Sequence, residues 1–177
     1  MARCDPGIVK ELCGACGLCC NGAIFANVQL RADDDETRLR SLGLQLECAL
    51  RSRISKLIQP CAAHEGSKCQ IYPERPQYCR EFECALLKNV CSGRVKKAAG
   101  LRIIRQAKGK LAAINDFLLE LGNNDSTVSH RVRFKQVSQE IKQKGANAGQ
   151  AALFGELTVA VHQMNLLLAE SFYPGQQ

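Results

Sequence analysis

Cysteine spacing constrains this chain more than any other feature. Residues 13–20 read Cys13-Gly-Ala-Cys16-Gly-Leu-Cys19-Cys20. A two-residue gap between cysteines lets a tight turn aim both sulfurs at one metal, at about 2.3 Å. Gly14 and Gly17 suit such turns, because they accept positive φ and expose backbone N–H groups to sulfur. Three cysteines at this spacing match the opening of the bacterial ferredoxin run, in which three thiolates of one loop hold one cluster. Cys20 departs from that run. Neighbouring side chains diverge, so Cys19 and Cys20 are expected to serve different irons or different metal ions.

A second block begins forty residues later: Cys61-Ala-Ala-His-Glu-Gly-Ser-Lys-Cys69, then Gln-Ile-Tyr-Pro-Glu-Arg-Pro-Gln-Tyr-Cys79 and Cys84. Glu65-Gly66-Ser67 is a turn signal between two short arms, so Cys61 and Cys69 are expected to face each other across a hairpin. Pro73 and Pro76 predict a rigid turn before Cys79. The two blocks offer eight candidate metal ligands: Cys13, Cys16, Cys19, Cys20, Cys61, Cys69, Cys79 and Cys84. Two four-thiolate sites, or one cluster with spares, fit that number.

All 11 cysteines of the 177-residue chain lie at or before Cys91, and an odd count argues against full disulfide pairing. Residues 1–11 carry Asp5 and Glu11 with no apolar run behind them, unlike a secretory or transit segment. No uninterrupted apolar stretch reaches the roughly 18 residues of a spanning helix; Ala151 to Phe172 comes nearest, broken by Glu156, His162, Gln163, Asn165 and Glu170. A cytoplasmic location without a membrane partner is therefore expected. Cysteines this dense in a reducing compartment bind metal more often than they pair. Cys4, Cys48 and Cys91 have no partner at ligand spacing and read as ordinary thiols, Cys48 on a core face within Leu46-Glu-Cys-Ala-Leu50.

The expected fold is mainly α, with a small cysteine-rich metal-binding module of short hairpin or strand elements over residues 1–91. A helical half over residues 92–177 packs on it as about three helices. Leu101, Ile104, Ala107, Leu111, Ile114 and Leu118 form the stripe of the first helix, which Gly122-Asn-Asn-Asp ends. The second runs from about Thr127 to Lys144. The third spans about Gln150 to Phe172, with Phe154, Leu157, Val161, Met164, Leu168 and Phe172 in one stripe. In the first half, Ile24 to Leu30 reads as extended. Asp33-Asp34-Asp35-Glu36 reads as a helix start, with Asp33 and Glu36 at capping-box spacing and the helix ending near Leu42. The acid triplet as a hard-cation site is the less economical reading.

The net charge of +7 is uneven, and Arg94 to Lys110 holds seven basic residues and no acid. Such a run suits a solvated helix face or a counter-charge for thiolates. It also suits an acidic protein or nucleic-acid partner, although no aromatic platform accompanies it.

The pattern Cys13-x2-Cys16-x2-Cys19-Cys20, with Cys61…Cys69-Gln-Ile-Tyr72-Pro-Glu-Arg75-Pro76-x2-Cys79-Arg80, resembles the CxxCxxCC cysteine-cluster family of YkgJ-type zinc- or iron-chelating proteins. The resemblance covers about residues 10 to 84. It implies a small metal-chelating domain of mixed helix and short hairpin, with Cys13, Cys16, Cys19, Cys20, Cys61, Cys69 and Cys79 as ligands and Cys84 as the trailing cysteine. The flagellin lysine N-methylase of some bacteria carries a similar cysteine pattern, which keeps an enzymatic role open. Residues 92–177 resemble no family.

Arg75 and Tyr72 stand out beside the cysteines, because a four-thiolate site carries excess negative charge that a guanidinium offsets. Arg75 paired with Glu74 or Glu81, and Tyr72 packed over the hairpin, are the plainer alternatives. His64 lies in the turn and is a weaker donor candidate, since enough cysteines exist. His130 and His162 sit on helices without partners.

No nucleophile elbow, phosphate loop, dinucleotide fingerprint or zinc-protease motif is present. The first functional reading is therefore a cytosolic protein holding an iron–sulfur cluster, of the 4Fe–4S kind, or zinc. A metal-dependent enzyme of methyltransferase or redox type is the second, and a basic zinc-stabilised nucleic-acid or protein adaptor the third.

Overall fold

The computed structural model of the chain describes residues 4–48 and 54–173. Ala49 and Leu50 of the Cys48 segment lie outside the described residues. The element order is mainly α, as the periodicities require, with two small antiparallel sheets in the cysteine-rich half.

Helix α1 (Pro6–Cys16) starts at Asp5, whose carboxylate accepts from the Gly7 amide at 2.7 Å, and Pro6 occupies the first helical position. It ends at Gly17, which takes φ 69° and returns its amide to the Cys13 carbonyl. Strands β1 (Asn27–Gln29), β2 (Leu46–Cys48) and β3 (Ser55–Ile58) form a sheet in the order β1-β3-β2. Its register aligns Val28, Leu57 and Leu46 on one buried row. The extended segment thus appears within Ile24–Leu30 as β1. Cys48 follows Leu46 by two residues and shares its face, yet at the end of β2 it is exposed, correcting its assignment to the core.

Helix α2 (Glu36–Ser41) begins at Asp35, not Asp33, because the Asp35 carboxylate accepts from the Arg38 amide at 2.9 Å. Asp34 accepts the amides of Arg31 and Gln77, so the acid triplet fastens backbone.

Strands β4 (His64–Glu65) and β5 (Lys68–Cys69) make the expected hairpin, with Cys69 opposite His64. Cys61 precedes the paired residues and is not the cross-strand partner of Cys69, a correction that the short two-residue register imposes. A 3-10 turn (Tyr72–Glu74) leads to α3 (Gln77–Glu81) and α4 (Ala85–Cys91).

The helical half comprises α5 (Lys97–Glu120), α6 (His130–Lys144) and α7 (Ala148–Ser171). Ile104, Ala107, Leu111, Ile114 and Leu118 are buried, as the stripe predicts, and Leu157, Met164, Leu168 and Phe172 meet them from the other side. Helix α6 starts three residues later than the pattern suggested and is tied down by buried Arg133. That guanidinium donates to the side chains of Asn115 and Asn123 and to the Asn123 carbonyl. Helix α7 opens with a capping box of Asn147 and Gln150. By length and composition it could cross a membrane, with a mean hydropathy of 1.3 over an 18-residue window.

One core joins this half to the helices of the cysteine-rich half: Leu12 of α1 and Leu86, Leu87 and Val90 of α4 pack with α5 and α7. Gly100 permits the approach, since a Cβ there would lie 2.9 Å from Val90. A second, smaller core underlies the three-stranded sheet. Cys4 and Cys91, expected as separate thiols, form a disulfide across 87 residues. Packing of α1 beside α4 is what brings them together.

Candidate metal centre

The first cysteine run is less of a loop than its spacing suggests. Cys13 and Cys16 lie on the last turn of α1, three residues apart and hence on one helix face. Gly14 is helical there and does not take positive φ, whereas Gly17 does. Beyond Gly17 the chain folds back through Leu18, Cys19 and Cys20. Cys84 caps α4, its sulfur accepting from the Leu87 amide at 3.5 Å. The Ala85 amide beside it donates to the Phe172 carbonyl at 3.1 Å, so the end of α7 fixes the start of α4. The two blocks meet where the Cys61 amide donates to the Cys20 carbonyl at 2.7 Å.

All eight candidate cysteines are free thiols. Seven of them, all but Cys61, line a single cavity of about 530 Å³, with Phe25, Tyr78 and Phe82 forming an aromatic wall. Among the described residues no three His, Cys, Asp or Glu donors stand close enough to hold an ion as they are placed. The thiols surround a space and do not yet converge on a point.

Electrostatics sorts them into two groups. Burial, helped by the charge of Cys84, raises Cys13 to about 11 and Cys16 to about 12. Burial and then Cys16, Cys20, Cys84 and Cys13 push Cys19 higher still. Cys20 answers chiefly to other neighbours: burial, then Cys61, Cys69 and Cys79, and last Cys13 raise it to about 12. Cys79 also reaches about 12 through burial, Cys61 and Cys69. One group is thus Cys13, Cys16, Cys19 and Cys84, the other Cys20, Cys61, Cys69 and Cys79. The adjacent pair Cys19-Cys20 links them, since Cys20 also raises Cys19 and Cys13 also raises Cys20.

The donor set fits a thiophilic metal: eight clustered soft sulfurs, seven of them lining one apolar cavity, with cations nearby to offset thiolate charge. Arg75 lies near both groups, since its charge lowers Cys13 and Cys79. Its guanidinium stacks 3.6 Å over the Tyr72 ring and donates from Nε to the Tyr72 carbonyl at 3.0 Å. It pairs with neither Glu74 nor Glu81, for Glu74 holds Arg38 at 2.6 Å and Glu81 accepts from Gln77. Tyr72 is partly exposed and, like Arg75, lines the cavity.

His64 sits against the Cys16-Gly17 turn, with its Nε2 buried and unpartnered. A Cβ on Gly17 would fall 2.6 Å from that nitrogen. His130 is buried, and burial with Arg131 and Arg133 lowers it to about 4; it stands outside the cavity lining. A residue bonded to the backbone beside the cavity, which sequence reasoning did not single out, is Lys108. Its place beside Ala107 and Leu111 at the edge of the buried stripe was the available signal.

The sequence model of the CxxCxxCC family, described as "Putative zinc- or iron-chelating domain", matches residues 12–104. No curated protein and no solved structure matches the chain. The matched segment runs from the first cysteine helix through all eight clustered thiols into the start of α5 and spans more than half of the sequence. The chain therefore belongs to the CxxCxxCC family of zinc- or iron-chelating domains.

Proposed function

We propose that this chain is a cytosolic metal-binding protein whose eight clustered cysteines hold two centres. The first is an iron–sulfur cluster on Cys13, Cys16, Cys19 and Cys84, and the second is a metal on Cys20, Cys61, Cys69 and Cys79. The observation that carries this reading is the cavity lined by seven of the eight thiols, in which Cys13, Cys16 and Cys19 have Cys84 as a common neighbour. It joins the x2-x2 triplet to one remote cysteine, the ligand arrangement of a ferredoxin-type cluster. When bound, a cluster supplies one-electron chemistry and zinc a structural cross-link. Zinc in both groups is the second reading, favoured by the four-and-four division, since each tetrahedral ion takes four ligands.

The free thiols support a reducing compartment; the Cys4–Cys91 disulfide pulls the other way. Arg94, Lys96, Arg102 and Arg105 remain exposed, which leaves a basic surface for an acidic partner.

Protein purified anaerobically after growth with iron supplied should be brown, bleach in air, and lose its colour in Cys16→Ser but not in Cys48→Ser. Colourless protein with stoichiometric zinc under those conditions would overturn the iron assignment. Absence of both metals would overturn the chelating function in this chain.

A further inference from the structure

Helix α5 reaches past the end of the family match at residue 104, and one of its basic side chains turns toward the cysteines. Lys108 is half-buried, one position from Ala107 in the stripe that packs on α1. Its ammonium donates to the Ala15 carbonyl at 3.3 Å and to the Ser67 hydroxyl at 2.6 Å. Ala15 lies between Cys13 and Cys16 on the last turn of α1. Ser67 is the tip of the β4–β5 hairpin that carries Cys69. A single side chain from the helical half therefore ties together the two blocks that supply the thiols.

Its charge also bears on them. Lys108 lowers Cys16, and it lowers His64, whose ring covers Gly17. Other basic residues of the run have different duties: Lys97 pairs with Glu11 at 2.8 Å, and Lys110 donates to Gln163 at 2.9 Å.

We propose that Lys108 is a positioning residue of the metal centre, joining the first cysteine run to the hairpin and holding a fixed positive charge beside Cys16. The inference rests on the chelating function proposed above. Four thiolates around one ion leave surplus negative charge, and a compact ammonium a short distance away offsets it without competing for the metal. It also gives the helical half a part in the site that its lack of cysteines conceals.

The test is zinc competition against a chromophoric chelator, on full-length wild type, Lys108→Met, Lys108→Arg, Ser67→Ala and the control Lys110→Met. Lys108→Met should weaken one zinc equivalent about ten- to a hundredfold, the range for losing a partner of a metal site. The pH midpoint of its loading should move upward, because the protons on the thiols compete better without the cation. The second equivalent should keep its affinity, Lys108→Arg should restore most of the loss, and Ser67→Ala should lose less than Lys108→Met. Lys110→Met should behave as wild type. Wild-type affinity and pH midpoint in Lys108→Met would overturn the inference, and so would equal weakening of both equivalents. Should Lys108→Met fail to fold, Ser67→Ala decides: unchanged zinc affinity overturns the inference, a selective loss upholds it. Failure of wild type to bind zinc or iron at all would instead overturn the chelating function.

Discussion

Residues 97–171 bury a continuous aliphatic stripe on three helices of 24, 15 and 24 residues. Residues 27–69 hold strands of only two to four residues and one six-residue helix. The helical half is held by area: Ile114, Leu118, Leu157, Met164 and Leu168 are fully buried, and each contributes about 1.5–3 kcal/mol of apolar transfer. The cysteine-rich half has no such stripe. Asx caps, the small sheet, a disulfide and the Lys108 bridge define its conformation. Its cysteine cavity is consequently free to be wide and chemically specialised, because the helices next door supply stability.

That contrast breaks most readily at the disulfide. Replacing Cys4 and Cys91 together by Ser should cost about 4 kcal/mol of unfolding free energy, the chain-entropy value for closing a long loop, since 87 residues separate the pair. Urea denaturation of the metal-free protein measures it. A loss below about 1 kcal/mol would mean that burial alone holds α1 against α4.

Next in size, Leu168→Ala should cost about 3 kcal/mol through lost transfer energy and a cavity, since the side chain is fully buried between α5 and α7. Zinc stoichiometry should not change, and a coupled loss of metal would show that the two halves are less separable than the packing implies.

Gly17→Ala acts locally. Left-handed backbone at φ 69° costs a side chain roughly 1–2 kcal/mol, and the new Cβ meets the His64 ring at 2.6 Å. Adding His64→Ala should relieve the clash and leave the backbone penalty, so the double variant should be more stable than Gly17→Ala alone.

The last effect appears only at alkaline pH. Burial raises the folded-state thiols of Cys13, Cys16, Cys20 and Cys79 from 9.0 to about 11 or 12. A thiol whose folded value exceeds its unfolded value keeps its proton in the native state while the unfolded chain releases it. The metal-free protein should therefore have its full thiol contribution below pH 9 and lose it as pH rises toward 12. Melting temperatures at pH 8 and pH 11 should fall further apart in wild type than in Cys13→Ser/Cys16→Ser. Equal slopes would place these thiols in solvent.

Most of the helical half was legible because a 3.6-residue repeat over 20 positions leaves little freedom in which side chains turn inward. Even there, the start of α6 was missed, since Thr127 and Ser129 are equally good caps by type. Spacing singled out the eight cysteines, seven of which line one cavity. Their local setting was not legible. A gap of two residues serves a tight turn and the last turn of a helix alike, and Cys13-Gly-Ala-Cys16 proved helical. Cys4 and Cys91 carry no local pattern at all; only the packing of α1 beside α4 makes them neighbours. Arg75 was legible as a cation near sulfur, whereas Lys108 was hidden in a run of seven basic residues that all look alike until α5 is docked.

The disulfide brackets the centre in sequence, for every one of the eight thiols lies between Cys4 and Cys91. During synthesis from the N-terminus, Cys4 emerges well before its partner, with nine competing thiols arriving in between. Exchange proceeds by thiolate attack on whichever sulfur is accessible, so a thiol that is buried and protonated, or bound to metal, is withdrawn from that competition. Correct pairing is thus a matter of biogenesis as much as of final geometry. A nascent chain that acquires its metal early leaves Cys91 a choice between Cys4 and Cys48 alone, and the packing of α1 beside α4 decides it.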